Sequence, residues 1–275
     1  MHSTASDGAL SPRELIALAA DRSLAGIALT DHDTVAGVAE AQAAGHMLGV
    51  RCIPAVEISC SSEFAGLVHL LGYYIDPTNE QLLELLDEIR QLRHTRAQQV
   101  VARINELGAN LEFQAVLDEA GESPPGRPHI ARAMERAGIV SDAVDAFDSE
   151  WIAPGGRAWV HAPSVPVERA IATVHQAGGA AVFAHPGSRS KGGVREAAVR
   201  HAASVGLDGI EVDHPDHTDD AVRKCVELAD ELRLIQTSGS DDHGTGVEGP
   251  RLGCRTVSGK RVAALEARAA QWPRA

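Results

Sequence analysis

Gly26-Ile27-Ala28-Leu29-Thr30-Asp31-His32-Asp33 reads as a short buried strand that runs directly into three ionisable residues. A brief apolar run bounded by polar residues fits a strand covered on both faces. The same punctuation recurs along the chain. Residues 180–184 (AAVFA) are followed by His185, Pro186 and Gly187. Residues 209–212 (GIEV) are followed by Asp213 and His214, with Asp216 and His217 close behind. A strand at 234–237 leads through Ser238-Gly239-Ser240 to Asp241, Asp242 and His243. Glu57 lies near the end of a strand expected over 50–58, and His69 lies within one expected over 67–75. Helical patterns separate most of these strands, at 34–45, 166–176, 194–204, 218–232 and 261–269. Another runs from Ser11 to about Ser23, where Ser11-Pro12-Arg13-Glu14 is a capping box with proline at the first helical position. Thr34, Thr218 and Ser258 are candidate N-caps. Apolar strands alternating with helices predict the α/β class, with a parallel sheet, closed or open, under a layer of helices.

The middle of the chain differs. Residues 78–107 form one long amphipathic pattern, with Leu82, Leu83, Leu86, Ile89 and Leu92 on one face and Thr78 and Gln81 as its capping box. Short helical pieces follow at 113–120, 129–137 and 143–150, joined by turns rich in proline and glycine. No good strand stands between Ile75 and Trp159. The organisation expected is therefore 1–77 as the first part of a barrel, 78–158 as a helical insertion covering the site, and 159–275 as the second part.

Composition narrows the function. The 275 residues are 44% hydrophobic and 23% charged, an ordinary globular balance. No apolar stretch is long enough to span a membrane, and the start lacks the basic and apolar regions of a signal peptide. Cys52, Cys60, Cys225 and Cys254 are scattered without a Cys-x-x-Cys pair, so they read as reduced core residues of a cytoplasmic protein. A net charge of −13 argues against binding along long nucleic acid. Aromatics at 3% argue against a base-stacking sheet. A small phosphorylated substrate stays compatible, because bound cations invert the charge of a pocket.

One histidine after one strand is usually a cap or a surface residue, and one aspartate there is commonly an N-cap. Five strands delivering His, Asp or Glu to one rim make a collective pattern that chance caps do not. In a βα barrel that rim is where active sites are built. Imidazole and carboxylate without thiolate suit manganese, iron, zinc or a similar divalent cation. Cations held close together lower the pKa of bound water and neutralise phosphoryl charge.

The ordered set MHSTASDG, LTDHDT, AVEIS, HLLGY, AHPG and SGSDDH resembles the PHP family (polymerase and histidinol phosphatase) over nearly the whole chain, including the insertion with its GRPHIAR segment. Within that family it is similar to the bacterial branch of 3′,5′-nucleotide bisphosphate phosphatases and 5′→3′ exoribonucleases. The resemblance implies a distorted (β/α)7 barrel with two or three divalent ions at its rim, manganese foremost, with iron, zinc or magnesium as alternatives. It implies His2, Asp7, His32, Glu57, His69, His185, Asp241 and His243 as ligands, with Glu57 bridging. Arg127 and His129 match residues that reach the substrate phosphate. A solvated helix start is the plain alternative for that pair. Asp241 and His243, with His214, form the expected catalytic set, and His214 or His217 is expected to hold substrate, protonate the leaving oxygen or support a ligand. The family opens on a strand ending Asp-Leu-His-x-His, whereas this sequence starts at Met1-His2. The first strand and one ligand are thus absent from it, and the expectation is an internal start in a longer protein rather than a lost ligand.

The function this implies is hydrolysis of phosphate monoesters of small nucleotides, first the 3′-phosphate of nucleoside 3′,5′-bisphosphates, or stepwise trimming of short RNA from its 5′ end. A histidinol-phosphate-type phosphatase and a non-catalytic PHP module are the alternatives. The partner expected is a small nucleotide or a short oligoribonucleotide.

Overall fold

The computed structural model describes residues 1–121, 123–161, 164–188, 192–244 and 251–273. The chain divides into two compact units, Met1–Asp87 with Val165–Ala275, and Glu88–Ser164.

The first unit is built on one sheet of β1 (Gly26–Leu29), β2 (Arg51–Ser62), β3 (Gly66–Tyr73), β4 (Val165–Pro166), β5 (Ala180–Phe183), β6 (Gly209–Asp213) and β7 (Ile235–Ser238). The order is β1-β2-β3-β5-β6-β7, with β4 beside β2. β1 is parallel to β2, and β5, β6 and β7 are parallel to one another. β3, however, is antiparallel to both β2 and β5, which corrects the all-parallel expectation. The reason is local. Residues 63–65 alone join β2 to β3, a connection that closes a hairpin, while a parallel pair needs a crossover of about a dozen residues. This reversal has a functional effect. His69, early in β3 and opposite Ser59, arrives at the end of the sheet where the parallel strands finish.

Helices α1 (Pro12–Asp21) and α2 (Val38–Leu48) precede the long α3 (Glu80–Glu106). α4 (Phe113–Ala120) and α5 (Arg127–Arg136) follow it, and α6 (Val167–Gln176), α7 (Glu196–Ser204), α8 (Asp219–Leu232) and α9 (Gly259–Ala269) lie between or after the later strands. Both bonds of the Ser11–Glu14 capping box are made, and Thr218 and Ser258 cap α8 and α9. Thr34 does not cap α2, which starts after Gly37; its hydroxyl accepts the Ala36 N–H instead. At α3 the cap is Asn79, whose Oδ1 accepts the Leu82 N–H at 3.0 Å, while Thr78 turns to Asp76. Leu82, Leu85, Leu86 and Ile89 make the buried stripe of α3, and Leu83 falls off it at 42% exposure. The stretch expected as a helix at 143–150 is a 3₁₀ turn, Ala143–Phe147. The second unit has its own core, with Val100, Ile104, Val116, Ile130, Met134 and Ile152 buried together. The four cysteines are free; Cys60 and Cys225 are buried, but Cys254 is exposed rather than in the core.

β1 and β7 end the path, and the sheet curls until these edges approach. The Thr30 N–H donates to the Met1 carbonyl, and the His2 N–H to the Asp242 carbonyl, each at 2.9 Å. Two residues therefore bridge the edges of a half-barrel. Beside that bridge lies a cavity of about 400 Å³, lined by Met1, Ile27, Ile53, Tyr73 and Leu265 and reaching Glu57 and Asp241.

Candidate metal centre

Each ionisable residue at the rim is placed by the backbone that precedes it. The β1 exit splits the triplet Asp31-His32-Asp33. His32 forms a parallel bridge with Glu57, and the two aspartates turn to backbone and hydroxyl donors. Buried Asp31 accepts the Ser3 N–H (2.6 Å), the Ser3 hydroxyl (2.7 Å) and the Ser6 hydroxyl (2.6 Å). Buried Asp33 accepts the Ser59 N–H (2.7 Å) and hydroxyl (2.8 Å). After β7 the same division recurs. Asp242 accepts the N–H groups of Gly244 (3.0 Å), Arg251 (3.1 Å) and Leu252 (3.0 Å), which leaves Asp241 and His243 for the rim. Charge-assisted bonds of this kind hold a loop firmly. Sequence reading gave Asp31, Asp33 and Asp242 no role, although their spacing either side of a rim residue was the available signal.

Glu57 is the hub. Its Oε1 lies 2.6 Å from His69 Nδ1 and 3.1 Å from His185 Nε2, and its Oε2 lies 3.2 Å from His2 Nε2 and 4.0 Å from His32 Nδ1. His2 Nε2 is also 3.1 Å from Asp241 Oδ1. The His2 ring stacks on His32 and His243, with centroids 4.3 and 4.2 Å apart. Asp7 joins through His243 Nε2 at 3.4 Å. Three groups have donor atoms close enough to share one ion each: His2, Asp7, His32 and His243; His32, Glu57 and His69; and His2, Glu57 and Asp241. His2, His32 and Glu57 each belong to two of them. His185 stands beside these groups, 3.3 Å from His69.

The electrostatics are those of a site short of positive charge. Burial opposes ionisation of Glu57 and Asp241, yet the surrounding imidazoles hold both well below the usual carboxylate range. Burial also opposes a charge on His2 and His185, but bonds to Asp241 and Glu57 for the first, and to Glu57 for the second, raise each to about 9. His32, buried and flanked by His2 and His69, falls to about 3.

Buried polar atoms without a partner include His2 Nδ1 and His32 Nδ1. An orphaned buried nitrogen is costly, and a cation is the partner an imidazole lone pair accepts. The donor set also fits, being imidazole and carboxylate with no thiol. At His243 the ring Nδ1 donates to the Asp241 carbonyl at 3.0 Å, which leaves the Nε2 lone pair facing the site.

The histidines after β6 differ. His217 is fully used: its Nδ1 donates to the Val212 carbonyl and its Nε2 accepts the Gly187 N–H. His214 accepts the Asp216 N–H at Nδ1, so its neutral ring carries the proton on Nε2, 3.4 Å from Asp241 Oδ2. One further residue escaped the sequence reading. Buried Glu211 accepts the backbone N–H of His185 at 2.8 Å, where His185 has a left-handed φ of 29°. A carboxylate in the middle of the apolar run GIEV was the signal.

Arg127 and His129 belong to the second unit. Buried His129 caps α5, its Nδ1 accepting the Gly126 N–H at 3.0 Å, so the helix-start alternative describes part of its role. Arg127 rests against the rings of Phe147 and Trp159.

Comparison with known proteins identifies the family. Residues 1–113 match the PHP domain. The chain is 36% identical over 255 residues to a 3′,5′-nucleoside bisphosphate phosphatase of Chromobacterium violaceum, covering 92% of this chain and 88% of that one. It is 35% identical over 244 residues to a 5′-3′ exoribonuclease of Haemophilus influenzae, covering 88% of each. A solved structure from Bifidobacterium adolescentis, described as a metal-dependent phosphoesterase, superposes with a TM-score of 0.84 at 31% identity, over 97% of this chain and 94% of that one. Identity of this order along nearly the full length, with the rim residues gathered as above, places the chain in the PHP family of metal-dependent phosphoesterases, as a phosphoric ester hydrolase.

Proposed function

We propose that this chain hydrolyses phosphate monoesters of small nucleotides, with the 3′-phosphate of a nucleoside 3′,5′-bisphosphate as the leading substrate. The observation that carries this is the hub at Glu57, where three overlapping imidazole–carboxylate groups meet around buried nitrogens that lack partners. His2, Asp7, His32, Glu57, His69, His185, Asp241 and His243 would hold two or three divalent cations, manganese first. Such cations, when bound, supply Lewis acidity that neutralises phosphoryl oxygens and activates water. The chain's own residues do the rest. Asp31 and Asp242 fix the loops that carry His2, Asp7, Asp241 and His243. His214, with its Nε2 proton beside Asp241, is the donor for the leaving oxygen. Arg127 offers a guanidinium fork suited to phosphate, and His129 an Nε2 proton. Trimming of short RNA from the 5′ end is the second reading, favoured by the exoribonuclease relative.

The test is phosphate release from adenosine 3′,5′-bisphosphate with added manganese, set beside Glu57→Ala and Asp241→Ala. Release that survives unchanged in both variants places the chemistry elsewhere.

The groove between β1 and β7 is read as the seat of one more strand, which would complete the (β/α)7 barrel. Its apolar lining and the backbone bonds already made at Met1 and His2 support this. An added amino-terminal segment of alternating apolar residues is expected to slow hydrogen exchange at Gly26–Leu29 and raise Tm; unchanged exchange there counts against it.

A further inference from the structure

β5 and β6 pair only briefly. Their ladder joins Val182 to Gly209 and Phe183 to Ile210, and it stops two residues short of His185. From there the chain runs through His185-Pro186-Gly187 without a backbone bond to β6 among the described residues. Pro186 has no N–H, so the N–H groups this turn can offer β6 are those of His185 and Gly187. Side chains take both. Glu211 Oε2 accepts from His185 at 2.8 Å, and His217 Nε2 accepts from Gly187 at 3.1 Å. The His217 ring then donates from Nδ1 to the Val212 carbonyl at 2.9 Å. One imidazole thus stands where a ladder bond would be, between an N–H that follows β5 and a carbonyl of β6.

The fit around this ring is close. His217 is 5% exposed, and a Cβ on Gly187 would stand 3.4 Å from its ring and 2.8 Å from the Ala221 Cβ of α8. What the ring braces is strained. His185 has a φ of 29°, a left-handed conformation in which a non-glycine residue persists only where its surroundings over-determine it. Held so, its Nε2 lies 3.1 Å from Glu57 Oε1. Glu211 fixes the turn at His185 itself and His217 fixes it two residues on; release of either lets the backbone relax and swing the ring from the hub.

We propose that His217 is a positioning residue for the metal centre, bracing the turn after β5 against β6 so that His185 keeps its strained conformation and its aim at Glu57. This rests on the reading of His185 as a metal ligand; the brace itself rests on bonds that need no metal.

The test compares His217→Leu and His217→Gln in the full-length chain. Leucine removes both bonds, whereas the glutamine amide carries an acceptor and a donor that can restore them. In EDTA, hydrogen exchange at His185 and Gly187 is expected to quicken in His217→Leu and to return towards the parent rate in His217→Gln. Manganese affinity, followed by calorimetry and electron paramagnetic resonance, is expected to fall about tenfold or more in His217→Leu and to recover largely in His217→Gln. Should His217→Leu not fold, His217→Asn, too short to reach both partners, carries the same expectation. In a His185→Ala background His217→Leu is expected to cost no further affinity, because a support acts only through what it supports. A folded His217→Leu that binds manganese as tightly as the parent overturns the proposal, whatever its urea midpoint. So does a full additional loss in the His185→Ala background, or a raised KM with manganese affinity intact, which would put His217 against substrate. Unchanged manganese affinity in His185→Ala alone defeats the ligand reading and the proposal with it, while exchange at Gly187 still reports on the brace. Absence of phosphate release by the parent defeats only the phosphoesterase reading, since the manganese titrations stand without it.

Discussion

Two buried histidine–carboxylate constellations in the first unit look alike on paper and differ in what they leave undone. Around Asp208 both carboxylate oxygens have partners. Its Oδ2 lies 2.8 Å from His175 Nε2 and accepts the Ala181 N–H at 2.8 Å, and its Oδ1 accepts from Arg268 at 3.2 Å. His175 then stacks on Trp272, with ring centroids 3.7 Å apart. Around Glu57 the carboxylate is equally crowded, yet ring nitrogens of His2 and His32 stay buried without partners. The first carboxylate is paired by protein groups alone and ties α9 to the sheet through Arg268. The second is completed only by something the chain does not contain. Unmet bonding capacity, more than the presence of histidine, separates a site from a strut.

That contrast can be broken. The largest effect expected is at the hub: Glu57→Ala should lower manganese-dependent phosphate release on the order of a thousandfold, with the fold retained by circular dichroism. Asp208→Ala should do the reverse. It leaves the Ala181 N–H and Arg268 without their acceptor and is expected to cost about 3 kcal/mol in urea unfolding, with kcat close to that of the parent. Comparable losses of activity in the two variants would erase the distinction. Manganese at about a hundredfold over its Kd should stabilise the parent by about 2.7 kcal/mol. EDTA should remove that gain, and Glu57→Ala should lack most of it in a thermal melt. The smallest effect belongs to Glu211→Gln. Loosening the support under His185 should lower kcat about tenfold while KM stays nearly constant, as expected for a residue acting through a ligand. A change confined to KM would move Glu211 into substrate contact.

Much of this was legible from residues 26–33 onward, because a strand that ends in ionisable residues must present them at its exit. The antiparallel course of β3 was written in the three residues that precede it. The roles within Asp31-His32-Asp33 and Asp241-Asp242-His243 were not, since the division depends on which donors the neighbouring loops bring. Ser3 and Ser59 are the donors at the first triplet, and Arg251 and Leu252 at the second. β4 escaped because two residues carry no periodicity. The meeting of Arg127 with Trp159 escaped because pairing across a helical unit leaves no local pattern. His214 and His217 looked equivalent until the backbone claimed both nitrogens of one and a single nitrogen of the other.

The amino-terminal bridge has a practical consequence. The Met1 ammonium donates to Thr30 Oγ1 at 2.5 Å, one residue from the ring at the heart of the cluster. A polyhistidine segment placed close to Met1 would present surplus imidazoles to a site built from imidazoles. Polyhistidine tags therefore belong after α9, and metal-content data from material with such a tag beside His2 would describe the tag as much as the enzyme.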